Sequence, residues 1–74
     1  MEQKEESLIP RKFNIGELII TKGKTVARVI GSAIYGIVDG KPMRFAWVEY
    51  RLLAPNKKRS FYRHENQLIK LGEN

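Results

Sequence analysis

The sequence predicts an all-β domain, a small closed barrel of five strands, on three observations. Short apolar and β-branched runs follow one another with almost no helical period between them. Gly, Asp-Gly and Pro-Asn turn signals separate these runs at close spacing. Two isolated glycines, Gly31 and Gly36, interrupt the longest run, where a strand needs a bulge or a sharp bend. The 74 residues make one domain, too few for a seven-stranded sandwich, and closing a barrel removes exposed strand edges.

Residues 1–12 are polar, mixed in charge and broken by Pro10, and read as a flexible N-terminal tail ahead of a domain over 13–74. The first strand is expected over 17–21, with Leu18 and Ile20 inward, followed by a turn centred on Gly23. The second runs over 25–38, with Ala27 and Val29 inward. Asp39-Gly40 supplies the positive φ angles of a tight hairpin, and Pro42 resists continuing the ladder. The third strand, 43–53, turns Ala46, Val48, Tyr50 and Leu52 inward and Phe45, Trp47, Glu49 and Arg51 outward. A polar turn over 54–59 leads to a short strand at 60–63 and a single helical turn at 64–67. A last strand, 68–71, uses Leu68 or Ile69 with Leu71 to complete the core.

The stretches FNIGELIIT and YRHENQLIKL resemble the opening and the ending of SH3-like barrels of the KOW and Tudor type. In those barrels an aromatic, a Gly, an acidic residue and alternating aliphatics open the fold. A short strand, one helical turn and a Leu-containing strand close it. The resemblance covers about 13–71, although Gly31-Ser32-Ala33 stands where a KOW signature would fall. It implies a five-stranded barrel carrying a recognition surface for nucleic acid, peptide or a protein partner.

The net charge is +6. Residues 1–12 contribute nothing to it, since Lys4, Arg11 and Lys12 balance Glu2, Glu5 and Glu6. Between 41 and 63, Lys41, Arg44, Arg51, Lys57, Lys58, Arg59 and Arg63 face Glu49 alone. A one-sided basic surface attracts phosphates whatever the fold. Aromatic rings within that field, Phe45 and Trp47 on one strand face and Tyr62 near the basic loop, are suited to stacking on bases. Arg44, Phe45, Trp47, Arg51, Lys57, Lys58, Arg59, Tyr62 and Arg63 are therefore the expected nucleic-acid-binding residues. The same Phe45/Trp47 face also suits a dimer or protein interface, and a covering segment from 8–13 would bury it without any partner.

Nothing in the chain suggests an enzyme. There is no cysteine, so disulfides and thiolate metal sites are excluded, and His64 beside Glu65 makes neither a zinc site nor an acid–base pair. The opening strand also resembles that of type II dihydrofolate reductases, but 60–63 departs from their Val-Gln-Ile-Tyr pore strand. No cofactor, metal or membrane partner is expected. No apolar run approaches the ~20 residues of a membrane helix, and the opening MEQKEESL is not a signal peptide. The expectation is a cytoplasmic protein that binds DNA or RNA, a regulatory or accessory factor of phage or bacterial origin.

Overall fold

The computed structural model describes residues 9–71. Five strands, β1 (Leu18–Thr21), β2 (Val26–Val38), β3 (Lys41–Leu53), β4 (Phe61–His64) and β5 (Leu68–Lys70), form one antiparallel sheet in the order β4-β3-β2-β1-β5. The one helical element is a 3-10 turn, Glu65–Gln67, which joins β4 to β5. These two strands are consecutive in the chain yet lie at opposite edges of the sheet. No helix of the described residues is long and apolar enough to cross a membrane.

Local chemistry explains the turns. Asp39 (φ 52) and Gly40 (φ 78) both adopt left-handed backbone, which makes the two-residue hairpin that Asp-Gly favours. The strand nevertheless begins at Lys41 and runs through Pro42, contrary to the expected start at 43. Pro42 pairs with Ile37, one step beyond the closing Val38–Lys41 pair, where an antiparallel ladder turns its N–H groups away from the partner. β4 reaches only Glu49–Leu52, so the missing N–H breaks no ladder on the other side. In the β1–β2 turn the left-handed residue is Lys24 (φ 73).

Both glycines expected to bend β2 mark irregularities. The register shifts by one residue between Val29 and Gly31. The second shift is larger: Tyr35 faces Trp47 while Ile37 faces Pro42, so residues 43–46 of β3 stand opposite Gly36 alone. Gly36 has φ 86, and a Cβ there would lie 2.8 Å from the Ala46 Cα. Only glycine permits that approach.

The core holds Phe13, Ile19, Ala27, Val29, Val48, Tyr50, Leu52, Ala54 and Leu68. The inward face of β2 at Ala27 and Val29, and that of β3 at Val48, Tyr50 and Leu52, are those expected from alternation; Ala46, expected inward with them, is only half-buried and lies in the break against Gly36. On β1 the expectation fails: Ile19 and Thr21 point inward, while Leu18 is exposed and Ile20 half-buried. Three consecutive aliphatics fit either face, and a one-residue slip exchanges them. The deciding residue is Thr21, whose Oγ1 accepts the Thr25 N–H at 3.1 Å and so tolerates burial. On β5 Leu68 is buried, whereas Ile69 and Leu71 are exposed.

The segment before β1 docks on the core. Ile9 packs against it, and Phe13 meets Tyr50 edge to face, centroids 5.4 Å apart. The Tyr50 hydroxyl donates to Glu65 Oε2 at 2.7 Å and accepts the Phe13 N–H at 3.2 Å. The same carboxylate oxygen accepts the Lys12 N–H at 3.0 Å. Burial, reinforced by the Glu65 carboxylate and opposed by the Phe13 N–H, pushes the Tyr50 hydroxyl up to about 12. Residues 9–12 are thus anchored to the fold, and the remainder of the expected tail, 1–8, lies outside the described residues.

Candidate nucleic-acid interface

The outward face of β2, β3 and β4 is a grid set by cross-strand register. Its first row is Gly31, Arg51 and Tyr62; its second is Ala33, Glu49 and His64; its third is Tyr35 and Trp47. Rows lie two residues apart along each strand, about 6.6–7 Å. Trp47 stacks on Tyr35 at 5.4 Å and 26° to one side, and on His64 at 5.3 Å and 27° to the other. The tryptophan that alternation turned outward is therefore the middle ring of a three-ring ladder crossing three strands. Both stacking partners lie against it, and 37% of the residue remains exposed.

Ile9 and Phe13 pack on the core, so the covering expected from residues 8–13 is not provided by these two side chains; Leu8 lies outside the described residues. Nor do the contacts of Trp47 include the expected pair with Phe45. Phe45 and Arg44 belong to the four residues opposite Gly36, and Phe45 is 62% exposed. Rings with free surface for stacking are thus Phe45, Tyr35 (43% exposed) and Tyr62 (53% exposed).

The remaining expected residues fall into two groups. Arg51 and Tyr62 pair across β3 and β4 on the outward face, and Arg51 Nε donates to Ser60 Oγ at 2.9 Å, which fixes the guanidinium's base. Together with Gly31, Ala33, Tyr35 and Glu49 they line a shallow groove of about 300 Å³. Glycine and alanine leave its β2 side low, and the half-buried Glu49 and the exposed Arg51 stand along it.

Lys57, Arg59 and Arg63 line a second groove of about 340 Å³ with Phe61, Ser60 and Thr25. It carries no acidic side chain, and the Arg63 guanidinium lies 5.0 Å from the centre of the Phe61 ring. Phe61 and Arg63 pair with the inward-facing Leu52 and Tyr50, so this groove lies at the β4 edge on the other side of the strand. Lys58 is exposed in the same loop. The basic stretch is one run in sequence but two surfaces in space.

Sequence reasoning missed Tyr35 and His64. His64 read as a turn residue, yet its imidazole stacks on Trp47 and stands 3.9 Å from Glu49 Oε2. Register alone brings these residues together, and no short motif announces it. The neighbouring Glu65 points instead to the Tyr50 hydroxyl. Among the described residues no three His, Asp or Glu side chains gather as metal ligands do. No family model, curated protein or solved structure matches the chain.

Proposed function

We propose that the chain is a small cytoplasmic SH3-like barrel that binds nucleic acid rather than an enzyme, a regulatory or accessory factor of phage or bacterial origin. Closure is supported by β4 and β5, consecutive strands at opposite sheet edges joined by three residues, a short connection that favours a curled sheet.

The observation that carries the binding reading is the company the cations keep. Lys41, Arg44, Arg51, Lys57, Lys58, Arg59 and Arg63 are all exposed on β3, β4 and the loop between them, with Glu49 as the one acid of that stretch. Exposed rings, Phe45 and Tyr62, lie among them, and Tyr35 adjoins them on β2. Cations hold phosphates without regard to sequence, and rings stack on unpaired bases. Single strands suit this combination better than a duplex, whose bases are already stacked.

The test is an anisotropy titration of labelled single- and double-stranded oligonucleotides, DNA and RNA, at low and high salt. Affinity should fall steeply as salt rises. Absence of binding to every oligonucleotide at low salt would refute the proposal.

A second reading, a protein-interaction module, is favoured by one feature. Beyond Glu49 the β2–β3 hairpin has neither β1 nor β4 beside it, and its Val38, Met43 and Phe45 are exposed. Dimer formation through this arm would appear as concentration-dependent sedimentation that Phe45→Ala abolishes.

A further inference from the structure

The shallow groove over Gly31 and Ala33 has a donor and acceptor pattern that the basic surface around it does not require. A carboxylate is unwelcome where only phosphates are to be held. Yet Glu49 occupies the middle of the outward face, half-buried, flanked by Ala33 on β2 and His64 on β4. Two residues along the same face stands Arg51, with one N–H committed to Ser60 and its terminal N–H groups uncommitted to any described partner. Beside this pair β2 contributes no bulk, since Gly31 and Ala33 are the residues registered against Arg51 and Glu49. Tyr35 and Tyr62 stand at the margins.

We infer that this groove receives one unpaired guanine of a bound single strand, read by Glu49 and Arg51; the inference rests on the nucleic-acid reading above. The Watson–Crick edge of guanine presents, in order, the O6 acceptor, the N1–H donor and the N2–H donor. A carboxylate accepts two adjacent N–H bonds with its two oxygens, and a guanidinium beside it donates to O6. Uracil and thymine have a single N–H between two acceptors, and adenine and cytosine have one amino group beside acceptors. None of them fills both carboxylate oxygens while offering its acceptor to Arg51. Gly31 and Ala33 give the ring its space, the exposed tyrosines give it apolar edges to rest on, and Glu49 then has a reason to sit in a basic field. The cations elsewhere hold the strand, and this pair reads one of its bases.

The test compares three single strands on the full chain: oligothymidine, the same strand with one central guanine, and the same strand with inosine there. Inosine keeps O6 and N1–H and lacks only the N2 amino group. The guanine strand should bind about tenfold or more tighter than the inosine strand, the value of one charge-assisted hydrogen bond. Glu49→Gln should bind the guanine and inosine strands equally, because an amide cannot accept both N–H bonds. Ala33→Leu, which fills the groove from the outward face, should bind the guanine strand no better than oligothymidine, with the near-ultraviolet circular dichroism of Trp47 reporting an intact fold. Equal affinity of the wild type for guanine and inosine strands overturns the guanine site and leaves nucleic-acid binding standing. Failure to bind any of the three at low salt overturns both.

Discussion

The ring of Trp47 lies against that of Tyr35, centroids 5.4 Å apart and planes 26° from parallel, and carries His64 at 5.3 Å on its other side. A single tryptophan on the wet side of a small sheet is thereby put to structural use: it ties β2 and β4 to β3 on the outward face. A stacked aromatic pair contributes about 0.5–1.5 kcal/mol beyond simple burial. Tyr35→Ala should therefore destabilise the domain by about 1 kcal/mol or more in urea unfolding. A double-mutant cycle with Trp47→Leu should return a coupling energy of similar size. Additivity of the two substitutions would separate the rings energetically.

Of the described glycines, Gly36 is the least open to change. Its backbone is left-handed, and an added Cβ would meet the Ala46 Cα at 2.8 Å. Gly36→Ala should cost more than about 2 kcal/mol, since strain and clash add. Gly40 is also left-handed (φ 78) but has nothing within 4 Å of its would-be Cβ, so Gly40→Asn should be tolerated within about 1 kcal/mol. Chemical denaturation of the two variants checks the contrast.

The Tyr50 hydroxyl joins the segment before β1 to the 3-10 turn through Phe13 and Glu65. Tyr50→Phe leaves the buried Phe13 N–H without its acceptor, while Glu65 Oε2 keeps the Lys12 N–H, and should cost about 1–3 kcal/mol. The pH dependence has a definite sign. Tyr50 rises from 10.0 unfolded to about 12 folded, so the folded state keeps a proton that the unfolded state has lost. Its contribution is complete below pH 10 and is lost between about pH 10 and 12. Urea unfolding at pH 8 and pH 11 should show a smaller alkaline loss in Tyr50→Phe than in the wild type.

Separation of the basic stretch into two surfaces has its own consequence. Removing Arg59 or Arg63, which line the acid-free groove at the β4 edge, should weaken all oligonucleotides about equally. Each lost phosphate contact should lower the slope of log affinity against log salt by about one. A substitution there that changed base preference and left the salt slope unchanged would contradict this division.

Much of the strand pattern could be read from the residues. Asp39-Gly40 predicted its hairpin because left-handed backbone has few tenants, and alternation in 48–52 predicted the inward face of β3. Alternation turns the wrong face of β1 inward, Leu18 and Ile20 in place of Ile19 and Thr21, because Leu18-Ile19-Ile20 offers apolar side chains to both sides. The candidate site was half legible. Arg51, Tyr62 and the basic loop stand out by residue type. The partners of Trp47 do not, because Tyr35 and His64 reach it through a register that follows a bulge at Gly31 and precedes a larger break at Gly36. Irregularities of that kind are set by close backbone approach, which leaves a glycine in the sequence and no sign of its direction.

The most direct test of the account is a map of backbone amide shifts during titration with a mixed-sequence single-stranded oligonucleotide. The account predicts that shifts concentrate on the outward face of β2, β3 and β4, at Ala33, Tyr35, Glu49, Arg51 and Tyr62, and over the loop carrying Lys57, Lys58 and Arg59. Shifts confined to β1 and β5, or none at all at low salt, would contradict it.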